Sequence, residues 1–187
     1  MLLTGDSLLA IYLKDHFAGS VVGAELASRS AAANRADSRF GPTLSKLAGE
    51  VREDRDMLRR LMSELDVGVD HAKQIGAWAA EKLGRLKLNG RLRGYSPLSR
   101  VEELEALRMG VTGKRMMWLA LHELSGAAPT GPVRRGEVEQ LRSLVDLGEV
   151  PAGGFAQLIE RAERQLETIE ECHARAVGVA FAAGSDD

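Results

Sequence analysis

The sequence predicts an all-α protein, an up-and-down bundle of four or five long helices plus one short helix, and three observations carry that prediction. Aromatic residues number only eight (two Trp, two Tyr, four Phe) and β-branched runs are few, so a β-sandwich or a base-stacking platform lacks its usual residues. Ala, Leu, Glu and Arg are abundant, and all four favour helix. The five prolines, Pro42, Pro97, Pro129, Pro132 and Pro151, leave long spans free of the residue that breaks helix interiors.

The spans read as helices in order. The first is expected from an Asp6 cap to about Ala33, ending in the polar stretch Asn34 to Gly41. The second opens at Pro42, whose missing N–H costs nothing in a first turn, and closes near Leu65. A third is expected from about Asp70 to Leu88, stopped by Asn89 and Gly90, with Gly94, Ser96 and Pro97 turning the chain. Ser96 then caps a fourth that starts at Pro97 and reaches about Leu124, Ser99 and Glu102 having capping-box spacing. After a linker from Gly126 to Gly136, a short helix is expected over Glu137–Leu147 and a last long one over Phe155–Phe181. Residues 1–183 form one domain in this reading, and 184–187 a disordered polar tail.

Composition bounds the function. A chain of 187 residues, 44% hydrophobic and 28% charged, is that of an ordinary globular protein and can bury roughly 70% of its unfolded surface without disulfides or metals. Its formal net charge of −2 provides no overall field to draw it onto nucleic acid or an anionic membrane. The apolar runs Met116 to Leu121 and Ala176 to Ala183 fall far short of the ~20 residues of a membrane span. The single Cys172 and an N-terminus without a basic region lead to the expectation of a cytoplasmic protein.

Residues advance about 100° around a helix, so the apolar 3–4 spacing defines a buried stripe and polar interruptions of it are informative. In the second helix Leu44, Leu47, Val51, Asp54, Leu58, Leu61 and Leu65 alternate unbroken, which points Asp54 inward. In the last, Phe155, Ile159, Ala162, Leu166, Ile169, His173, Ala176 and Ala180 point His173 at the core. The fourth reads Leu104, Leu107, Val111, Lys114, Trp118 and Leu121. The first is apolar nearly all round: one stripe is Leu8, Tyr12, Asp15, Gly19, Val22 and Leu26, the other Leu9, Leu13, Phe17, Val21 and Ala24. Such a helix is either central or placed at a homo-oligomer interface, such as that of a homodimer, and Gly19, Gly23 and Ala27 would admit another backbone closely. Asp15, Asp54, Lys114 and His173 are thus expected to form a buried polar layer, because charges in a core must meet partners.

Long antiparallel helices with inward carboxylates resemble the ferritin-like superfamily, in which Glu and Glu-x-x-His residues on four helices hold a pair of iron or manganese ions. Glu170 and His173 match one such motif, Glu50 and Glu53 occupy the corresponding i, i+3 positions, and Asp15 supplies the first-helix carboxylate. Glu103 and Glu105 are candidates from the fourth helix. The resemblance implies a dimetal carboxylate protein of iron-storage or oxidase type. The sequence departs from it where Glu53 stands in a histidine position and where Lys114 adds a positive charge. Asp15–His16, Glu53–Asp54, Ala77–Trp78 to Lys87 and Tyr95 to Leu98 are also similar to bacterial helical-bundle proteins to which no activity is attached, a likeness that bears on fold only.

Other features carry less chemistry. Lys82, Arg85, Lys87, Arg91, Arg93 and Arg100 make a basic segment over 82–100 that would suit an anion, though cations near a helix C-terminus also simply complement its dipole. Met109, Met116, Met117 and Trp118 could line an adaptable pocket or fill a core. Cys172 and His173, adjacent on a helix, point about 100° apart and cannot form a thiolate–imidazole pair. No Ser-His-Asp set, Walker loop or Gly-x-Gly-x-x-Gly motif is present. The expectation is a non-enzymatic structural or interaction protein, with the dimetal protein and anion binding by segment 82–100 as the alternatives.

Overall fold

A computed structural model describes residues 7–69, 95–126, 135–146, 150–151 and 153–182. Among them are five helices and no strand: α1 (Leu8–Ala33), α2 (Gly41–Glu64), α3 (Pro97–Gly126), α4 (Arg135–Asp146) and α5 (Gly154–Phe181). These correspond to the first, second, fourth, short and last helices of the sequence reading. The expected third helix, Asp70–Leu88, lies outside the described residues, as do the tail 184–187 and Lys82, Arg85, Lys87, Arg91 and Arg93 of the basic segment. No described helix is long and apolar enough to cross a membrane.

Local chemistry sets the helix ends. α1 is capped by Ser7 rather than Asp6: the Ser7 hydroxyl accepts the Ala10 N–H at 3.0 Å. α2 begins at Gly41 with proline in its first turn and stops because Asp66 turns left-handed at φ 53°. The Asp66 N–H then bonds the Ser63 carbonyl at 3.1 Å and the Val67 N–H the Met62 carbonyl at 2.8 Å, the paired closure of a Schellman motif. Ser96 accepts the Leu98 N–H at 3.3 Å in the first turn of α3.

Cross-helix pairs fix the directions. Glu105 with His173, Arg108 with Glu170 and Arg115 with Glu163 run α3 antiparallel to α5. Asp37 with Arg100 and Asp54 with Lys114 run α2 parallel to α3. Hence α2 ends at one end of the bundle while α3 begins at the other. Arg100 marks that second end: it is buried, donates from Nε to Asn34 at 2.6 Å and lies 4.0 Å from the Phe40 ring centroid. At the opposite end α4 buries Val138, Leu141 and Leu144 and supplies donors to helix-terminal carbonyls, Gln140 to Glu64 at 2.6 Å and Arg142 to Ser125 at 2.7 Å.

The core has two apolar halves. One gathers Ala24, Ala27, Phe40, Leu44, Leu47, Val51, Leu104, Leu107, Val111, Ile169 and Ala176. The other gathers Leu9, Leu13, Phe17, Leu58, Leu61, Trp118, Leu121, Leu141, Phe155 and Leu158. Along α2 the change from one to the other falls between Val51 and Met57, along α3 between Val111 and Met117, and along α1 between Phe17 and Ala24. What fills this waist is polar.

Candidate functional site

Asp54, only 2% exposed, sits at the centre of the waist. One of its oxygens accepts from Lys114 of α3 and, at 3.1 Å, from the Gln165 amide of α5; the other pairs with Arg161 of α5. Lys114 donates also to the Gln165 carbonyl oxygen, and the Gln165 amide reaches Glu50 at 3.2 Å. Arg161 extends the network to Glu53 at 3.5 Å. Three helices are tied together by one carboxylate, and burial holds the Lys114 pKa below that of a free lysine even though Asp54 opposes the shift.

Two of the four polar-layer residues read from the sequence, Asp54 and Lys114, therefore meet in the interior. The other two do not. Asp15 is exposed, because α1 buries its opposite stripe of Leu9, Leu13, Phe17 and Ala24. His173 lies on the flank of α5, half-buried, with Nε2 3.1 Å from Glu105. The α5 seam is Phe155, Leu158, Ile159, Ala162, Gln165, Ile169, Cys172 and Ala176. It shares Phe155, Ile159, Ala162, Ile169 and Ala176 with the sequence stripe but takes Gln165 and Cys172 where the 3–4 spacing selects Leu166 and His173. Gln165 had no hydrophobic signal; its burial is explained only by the three polar partners waiting for its amide.

The candidate dimetal residues are dispersed. Glu170 is bound by Arg108 at 2.8 Å, Glu53 is 69% exposed beside Arg161, Glu50 faces Gln165 and Lys46, and Asp15 and His173 stand apart as described. Glu103 accepts the Tyr95 hydroxyl at 2.6 Å. Among the described residues no group of three or more His, Cys, Asp or Glu is placed to hold a metal ion. The interior carboxylate already carries two cationic side chains, so the site does not fit a pair of iron or manganese ions. Arg100, the described cation of the basic segment, is turned inward to Asn34 and Asp37.

Beside the waist, a groove of about 290 Å³ opens between α1, α2 and α3. Val51, Leu58, Leu107, Val111, Met117 and Trp118 form its apolar walls, and Asp54 and Lys114 line it from the interior. Asp15 and His16 on α1 and the exposed Met109 on α3 also line it. The groove exists because glycines face it: Gly19 and Gly23 of α1 and Gly110 and Gly113 of α3 each leave open space where a Cβ would stand. Burial pushes His16 below the ordinary histidine pKa, with Asp15 opposing, which favours the neutral ring. Comparison with protein-family models, curated proteins and solved structures finds no match to this chain.

Proposed function

We propose that this chain is a non-enzymatic structural or interaction protein, a helical bundle whose buried charged side chains set helix register. The observation that supports the reading is the pairing of buried Asp54 with two cations. A carboxylate paired inside the core with the cations Lys114 and Arg161, and bonded by Gln165, offers a metal ion no net negative charge. A polar layer between two apolar halves is also the arrangement that penalises a slipped register, since any slip strands a charge in hydrocarbon. The free, buried Cys172 suits the reducing setting of the cytoplasm.

Homo-oligomerisation through α1 belongs to the same proposal. Leu8 and Ile11 are 66% and 45% exposed on that helix, and Met109 and Met116 are exposed on α3. Two measurements test the reading. After anaerobic loading with ferrous iron, wild type and His173→Ala should retain equally negligible metal; stoichiometric iron in wild type that is lost from the variant overturns it. Sedimentation should show a dimer or larger species that Leu8→Ser with Ile11→Ser converts to monomer, and a monomeric wild type removes the α1 interface.

A further inference from the structure

The Trp118 indole is fully buried, yet its Nε1–H has no hydrogen-bond partner among the described residues, and Trp118 lines the groove between α1, α2 and α3. An unsatisfied buried donor costs about 1–3 kcal/mol, a penalty that an acceptor relieves once the side chains of the groove part to admit it to the indole. The groove's second donor is Lys114, which spends two of its three N–H groups on Asp54 and Gln165 and lines the same space. Charge narrows the ligand further. Among the lining residues Asp15 and Asp54 balance Arg55 and Lys114, so the groove presents donors without a net field for an ion. Its walls are hydrocarbon, sulfur and indole, and its volume stands at the lower edge of the range for small-molecule sites, about 300–1,000 Å³.

We propose that this groove is a binding site for a small, uncharged, largely apolar molecule with one hydrogen-bond-accepting oxygen, a ketone, aldehyde or ester in chemical class. The oxygen meets the Trp118 indole and Lys114. The apolar body lies along Val51, Leu58, Leu107 and Met117, and Met109, 71% exposed and unbranched, adapts to its outer end. The four glycines are the specificity device, since any larger side chain there would take up the ligand's volume. The site requires no association through α1.

The test uses the full chain, labelled with nitrogen-15, and acetophenone as the probe, with ethylbenzene and benzoate as controls. The Trp118 indole resonance is assigned by its disappearance in Trp118→Phe. Acetophenone should move that resonance downfield and saturably. Ethylbenzene should bind about tenfold more weakly, the effect of one net hydrogen bond, and leave the resonance near its starting position. Benzoate should be weaker than the ketone. Gly113→Leu should abolish ketone binding, and Gly19→Leu serves the same purpose if Gly113→Leu does not fold. An indole resonance that ignores acetophenone overturns the proposal. So does a folded, groove-filled variant that binds the ketone as wild type does, or one that instead loses an oligomeric state, which would assign the groove to a second copy of the chain.

Discussion

Replacing Lys114 with methionine keeps the side chain's length and apolar stem but removes the ammonium that Asp54 and Gln165 share. Asp54 is then a 2%-exposed carboxylate with Arg161 as its remaining cation. Breaking a buried pair by deleting one partner costs about 3–5 kcal/mol where nothing else compensates. Because Arg161 stays, the loss falls below that range, and Lys114→Met should lose about 2–3 kcal/mol. Asp54→Leu should cost at least as much, for it strands two cations, although Arg161 can lean to Glu53 and Lys114 can release its proton. The double variant Asp54→Leu with Lys114→Met should lose clearly less than the two single losses summed, since neither charge of the pair is left behind, although Arg161 and Gln165 still lose Asp54. Urea unfolding of the four proteins, followed by circular dichroism and by fluorescence to check two-state behaviour, gives the coupling energy directly. A double variant whose loss equals the sum of the single losses within about 0.5 kcal/mol would refute the idea that these charges meet in a dry interior. The same cycle has a pH signature. With its folded pKa depressed below 10.5, Lys114 leaves the unfolded chain holding more protons between the depressed value and 10.5. Its contribution therefore rises with pH across that window and is lost as pH falls through the folded value, a slope that Lys114→Met should remove.

Tyr95 should act with the opposite sign: burial and the bond to Glu103 raise its pKa above 10.0, so its contribution holds below pH 10 and is lost as pH climbs through the raised value. Tyr95→Phe should flatten that alkaline decline in a series of thermal melts. Arg100→Ala deletes a buried guanidinium bonded to Asn34 and stacked on Phe40, and should cost about 2–4 kcal/mol in denaturant titrations. Two glycines should respond oppositely to alanine. Gly49→Ala, with open space around the new methyl in mid-helix, should stabilise by about 0.5–1 kcal/mol. Gly41→Ala would place its Cβ 2.8 Å from the Asn34 carbonyl oxygen and should lower the melting temperature.

Helix positions were legible in the chain because they depend on local events. Proline at a first turn, the Ser96 cap and the 3–4 apolar spacing each act within a turn or two, and the bounds of α1, α2, α3, α4 and α5 fall within about two residues of the sequence reading. Asp54 and Lys114 were legible for a related reason. Each interrupts a stripe of leucine, valine and tryptophan, and that stripe is the side the helix buries.

Only packing could choose between two plausible faces. α1 carries apolar residues on both sides, and the choice of the Leu9–Leu13–Phe17 side is made by what α2 and α3 offer it, which leaves Asp15 at the surface. On α5 the rotation that buries Cys172 instead of His173 brings Gln165 to the one place where its amide is fully bonded. The parallel run of α2 and α3 and the groove between the glycines of α1 and α3 likewise depend on residues some sixty or more positions apart. Periodicity along one helix holds no record of which charge another helix will present, and it is that long-range pairing of donors with acceptors that fixes each helix's rotation.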